Sequence, residues 1–92
     1  MDISIVLGLV KAKLGLSGEV RNNYITAIIK GVIEELEDEK GLALDGASPY
    51  HLIFVVDYVT WRYQSRDTDG AMPRHLQYRL HNLIIHNGGG TS

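Results

Sequence analysis

Two stretches of this chain hold side chains of the types that do chemistry. The first, SRDTDGAMPRHLQYR at residues 65–79, sets Arg66, Asp67, Asp69, Arg74, His75, Tyr78 and Arg79 around a glycine and a Met-Pro step. The second, EELEDEK, places Glu34, Glu35, Glu37, Asp38 and Glu39 almost in succession. DTDG invites calcium. An EF-hand loop takes ligands at alternate positions, glycine at the sixth and a bidentate glutamate at the twelfth. With Gly70 sixth, Leu76 stands twelfth, so the glutamate is missing and only two carboxylates remain. The stretch reads instead as a polar turn, its aspartates bonding their own backbone. Helical zinc pairs sit three or four residues apart. His75, His81 and His86 are six and five apart, and there is no HExxH, so no metal and no cofactor are expected.

Catalysis needs a nucleophile with a base, or paired carboxylates in a pocket. The chain has no cysteine, and its serines fall at loops and helix caps. Asp57 alone interrupts an apolar run, and a carboxylate there is costly unless paired. Arg62, Arg66 and Arg79 are its candidate partners, and a buried Asp–Arg bridge is favoured over a catalytic acid. No enzyme is expected.

The remaining readings concern surfaces. The acidic run sits near the C-terminal end of a long helical pattern, where the macrodipole favours cations. Local helix stability therefore did not select it. It reads as a solubilising face, or as a patch that meets a basic partner or repels DNA phosphates. His75, Arg79, Asn82 and His86 recur at helical spacing, with Arg74 and Tyr78 close by, and Trp61, Arg62, Tyr63 and Arg66 lie upstream. Arginine, tyrosine and tryptophan are the types enriched in interface hot spots. The plainer alternative is ordinary packing arginines with snorkelling stems.

These side chains must be positioned by helices. Asp2 reads as the N-cap for residues 3–14, where Ile3, Val6, Leu7, Val10 and Leu14 recur at helical spacing and Gly15 suits a left-handed C-cap. Residues 18–40 predict a long helix capped by Ser17 with Glu19 in its first turn. One seam is Val20, Tyr24, Ile28, Val32 and Leu36; a second is Ile25, Ile29 and Ile33. A stripe that wide implies more than one neighbour, and Gly31 suggests a close helix crossing. After a loop at 41–48, Ser48-Pro49 reads as N-cap and first helical residue. The run YHLIFVVDYVTWRY is rich in strand formers, yet its length and the recurrence of Leu52, Val55, Val56, Val59 and Tyr63 predict a helix. A loop at 65–71 and Pro73 precede a last helix with Leu76, Leu80, Leu83 and Ile84 on its apolar face. NGGGTS ends it as a flexible tail. The expected fold is all-α: one domain over residues 1–87, a compact bundle of about four helices with short loops, followed by a glycine-rich tail at 88–92.

Composition sets the bounds. The chain has 92 residues, 45% hydrophobic, with no cysteine. It can build one core, but a marginal one, and oligomerisation is the general way left to strengthen it. A net charge of −2 exerts no global pull on nucleic acid or anionic lipid. Residues 1–45 carry five basic and eight acidic side chains, whereas residues 46–92 carry four arginines, three aspartates and all four histidines. No signal peptide is read at the N-terminus, and no apolar run approaches the ~20 residues that span a bilayer. A soluble protein of a reducing cytosol is expected.

The second half resembles the small head–tail connector proteins of long-tailed bacteriophages and prophages. The matching features are the aromatic helix ending in Trp61-Arg62-Tyr63, the Arg66-Asp67 step, and Gly70-Ala71-Met72-Pro73-Arg74-His75-Leu76 opening the last helix. The first half is similar more loosely, through a short N-terminal helix, a long helix carrying Tyr24-Ile25 and Glu34-Glu35, and a glycine-bearing loop. The resemblance spans residues 2 to 87, and the chain stops soon after its last helix. It implies a non-catalytic structural virion protein assembled in the host bacterial cytoplasm. Such a protein forms a ring, typically dodecameric, beneath the portal at the head–tail junction. It extends the channel through which DNA passes without sequence-specific binding, and it docks further head-completion or tail proteins. No membrane is implied. Trp61, Arg62, Tyr63, Arg66, Arg74, His75, Tyr78 and Arg79 are then candidates for subunit or portal contacts, with Glu34–Glu39 as a complementary acidic patch. The alternative is a small helical nucleic-acid-binding or dimeric regulatory protein.

Overall fold

A computed structural model describes residues 1–66 and 70–87. They form four α-helices and no strand: α1 (Ile3–Leu14), α2 (Asn22–Glu34), α3 (Pro49–Gln64) and α4 (Arg74–Asn87). A single π-helical turn, Glu35–Glu39, continues α2. The chain is a small all-α bundle, as the periodicity predicts.

The Asp2 carboxylate accepts from the Ser4 N–H at the start of α1. Gly15, at φ +73, ends it. The Leu16 N–H reaches back to the Lys11 carbonyl and the Gly15 N–H to that of Ala12, which is a Schellman closure. The left-handed φ it needs carries no Cβ penalty for glycine.

α2 begins four residues later than its pattern predicts. Ser17 and Glu19 lie outside it, Arg21 occupies the cap position with no side-chain bond, and Val20 is 98% exposed rather than part of a seam. Gly18 explains the delay. It sits at φ +86, and its carbonyl is held by the Lys11 ammonium, so the chain is still turning there. The buried stripe that results is Ile25, Ile29, Val32 and Leu36, while Tyr24 is half exposed. α2 packs on both α1 and α3, so its width has the expected cause. Gly31 does not mark a close crossing, since a Cβ there would meet nothing within 4 Å. Its last stretch is not α-helical either: the Lys40 N–H bonds the Glu35 carbonyl five residues back at 3.1 Å. Gly41, at φ +70, then reverses the chain and Leu42 tucks into the core.

α3 is the axis of the molecule. Ser48 caps it, its hydroxyl accepting from the His51 N–H, and Pro49 is its first residue. His51, Phe54, Val55, Val56, Tyr58, Val59, Thr60 and Tyr63 are buried. A helix apolar nearly all round is a central one, and α3 contacts α1, α2 and α4. That burial overrides the strand propensity of its valines and aromatics. The two buried polar residues of α3 are bonded: the Thr60 hydroxyl donates to the Val56 carbonyl at 2.7 Å, and His51 Nδ1 accepts from the Asp45 N–H at 2.9 Å.

α1 and α3 run parallel, because Met1 lies against Gly46 and Lys13 reaches Asp57. α4 runs antiparallel to α3, with Pro73, His75 and Leu76 beside Trp61 and Gln64, and Arg79 beside Asp57 and Phe54. α4 buries Leu76, Leu80 and Leu83 and packs on α3 alone.

Candidate functional site

Two polar junctions fix the helices, and they claim several of the side chains that the sequence singles out. At the first, Asp57 of α3 receives the Arg79 guanidinium of α4 at 2.8 Å and the Lys13 ammonium of α1. The Asp57 side chain is 20% exposed, so the bridge is half-buried. Burial pushes the Asp57 carboxyl up, but the hydrogen bonds and charges of Lys13 and Arg79 outweigh it and hold the group below its ordinary value. Arg79 is one of the three partners expected, and Lys13 is an addition. Forty-four residues separate Lys13 from Asp57, and nothing local in the sequence joins them.

The second junction ties α3 to the π-helical turn. The Tyr58 hydroxyl donates to Glu35 Oε2 at 2.7 Å, and Arg62 Nη2 donates to Glu35 Oε1 at 2.9 Å and to the Tyr58 oxygen at 3.2 Å. The guanidinium lies 5.3 Å from the Tyr58 ring centre and 5.6 Å from that of Trp61. Burial pushes the Tyr58 phenol up, and its bond to Glu35 adds to this, to about 12. Burial also pushes Glu35 up, but Tyr58 and Arg62 hold it below its ordinary value. Glu35 is therefore a structural anchor rather than a member of a solvated acidic face. Glu34, Glu37, Asp38 and Glu39 remain exposed, and among the described residues none of the four forms an ion pair.

The candidate interface residues divide the same way. Tyr63 is buried, and its ring meets Tyr24 at 6.0 Å between centres. Trp61, Arg62 and Arg79 are half-buried in the junctions. Arg66, Arg74, His75 and Tyr78 are exposed. Arg66 stacks 4.3 Å over the Tyr63 ring and donates to its carbonyl at 2.6 Å. Arg74, Tyr78 and His81 line one shallow hollow together with His75 and Gln77, and Tyr78 is 68% exposed. Ile85, half exposed, continues this face one turn on. The expected stripe of His75, Arg79, Asn82 and His86 is turned: Arg79 and Asn82 face partly inward, while the open row is Arg74, Tyr78, His81 and Ile85. These last fall at i, i+4, i+7 and i+11, so helical period was the signal for His81 and Ile85.

Arg74–Tyr78–His81 can stack, donate hydrogen bonds and attract anions. No metal-holding group of three or more His, Cys, Asp or Glu occurs among the described residues. Asp67 and Asp69, on which the calcium reading turns, and the tail at 88–92 lie outside the described residues. Among the described residues no helix is long and apolar enough to cross a membrane. The chain matches no family model, no curated protein and no solved structure.

Proposed function

We propose that this chain is a structural adaptor of the head–tail connector kind. It assembles as a ring under the portal of a long-tailed phage or prophage, extends the DNA channel, and presents a surface for the next head-completion or tail component. One observation carries this reading: α4 is docked on α3 by one side only, leaving the Arg74–Tyr78–His81–Ile85 face open. A marginal domain of this size gains stability by covering such a face, and its residue types are those of interface hot spots. The polar junctions support the same reading, because Asp57, Arg79, Glu35, Tyr58 and Arg62 hold one another in place, as a scaffold requires.

The test is the mass of the purified chain by light scattering, alone and with a cognate portal protein. A large ring, or a monomer that joins the portal at one copy per portal subunit, is the expected outcome. A monomer or dimer that ignores the portal, yet binds duplex DNA less tightly as salt rises, would replace the adaptor with a nucleic-acid-binding role.

A further inference from the structure

We infer that the open face of α4 docks the acidic π-helical turn of a second copy of this chain, so that copies join head to tail. This rests on the self-assembly in the function proposed above and names the surfaces that would carry it. α4 has no acidic residue, and its outer face offers Arg74, His75 and His81 around the exposed Tyr78 ring. Arg79, on the same helix, is held by Asp57. At the far end of α2, Glu34, Glu37, Asp38 and Glu39 are exposed, and Lys40 follows them in sequence. Glu35 turns inward to Tyr58 and Arg62 and so fixes that turn against the core.

The two surfaces cannot meet within one molecule, because α4 touches α3 and neither α2 nor the turn after it. Their charges are opposite, and neither set is neutralised internally among the described residues. The acids also stand at the helix end where the macrodipole disfavours them. A basic surface laid over that turn removes this local penalty. Two different patches on one chain make a heterologous contact, which closes into a ring or continues as a filament according to its rotation. Charges of this kind fix register and partner choice more than raw affinity.

Charge reversal tests it. Variant A is Arg74→Glu with His81→Glu; variant B is Glu37→Lys with Asp38→Lys. All four sites are exposed, and circular dichroism checks that each variant is folded. Association is read by sedimentation velocity at low and high salt. If the chain is monomeric alone, it is read as copies retained per portal ring. Each variant alone should lose at least about tenfold in association, and the wild type should weaken as salt screens the contact. Mixing A with B, or combining all four changes in one chain, should restore assembly. Assembly indifferent to both reversals overturns this interface and leaves the adaptor reading standing. Wild type that never associates, with or without the portal, overturns both. Loss of duplex DNA binding in A while self-assembly persists assigns the α4 face to nucleic acid instead.

Discussion

Asp57→Ala removes the one carboxylate on which α1, α3 and α4 converge. Its contact with Arg79 is charge-assisted and both side chains are mostly covered, at 20% and 23% exposure. Such a bond contributes about 1.5–3 kcal/mol. Its contact with Lys13 is more open, since that side chain is 49% exposed, and a pair of that kind contributes about 0.2–1 kcal/mol. Arg79 is left against the Phe54 ring, but it retains some access to water, which limits the penalty. The expected loss is therefore about 2 kcal/mol, a fall in Tm on the order of 8–16 °C for a domain of this size. Urea or thermal unfolding followed by circular dichroism measures it. Double-mutant cycles with Arg79→Ala and Lys13→Ala should give the larger coupling to Arg79. The pH dependence has a definite sign. A carboxyl held below its ordinary value of 3.8 stabilises the fold above that pH, and the contribution is lost as pH falls through the lower folded value. Wild type and Asp57→Asn should thus differ by a constant amount near neutrality and converge below about pH 4. A Tm unchanged by Asp57→Ala, or stronger coupling to Lys13 than to Arg79, would refute this account of the junction.

Further outcomes follow from the same geometry. Tyr58→Phe leaves Glu35 and Arg62 paired but removes the hydroxyl that bonds both, costing about 1 kcal/mol in denaturant unfolding. Gly15→Ala forces a Cβ onto a residue at φ +73 and should cost about 1–2 kcal/mol by the same assay. Phe54→Ala empties the centre of the core and should cost about 3–5 kcal/mol, enough to leave a marginal domain largely unfolded by circular dichroism. Val20→Asp should change stability by less than about 0.5 kcal/mol, because that side chain is in solvent; a core-sized loss there would restore the longer α2 of the sequence pattern.

The sequence was most legible where signals agreed. Asp2, the apolar spacing and Gly15 bound α1 on both sides, and Ser48-Pro49 did the same for the start of α3. It was least legible between α1 and α2. Ser17 and Glu19 are good capping residues, yet Gly18 spends its freedom on a turn, and no local rule weighs one against the other. The π-helical end of α2 was likewise hidden, since an extra residue in a helical turn leaves no periodic trace over five positions. For the candidate site, residue type picked out Arg74, His75 and Tyr78, which the fold leaves open. The Asp57–Arg79 bridge was among the pairings expected, but type alone could not foresee that Arg62 would be consumed by Glu35, because that pairing joins positions 27 residues apart.

That α4 leans on a single helix has a consequence for backbone amide exchange. α1, α2 and α3 each touch two or more neighbours and can expose their amides to deuterium only when most of the core comes apart. α4 can peel away at the cost of Leu76, Leu80, Leu83 and one bridge, so its amides should exchange through a cheaper opening while α3 stays protected. A copy seated on its outer face would have to be shed first. Slowed exchange at residues 74–87, beyond any change in the acidic turn on the other side of the contact, would then report assembly from inside the molecule, without any measurement of size.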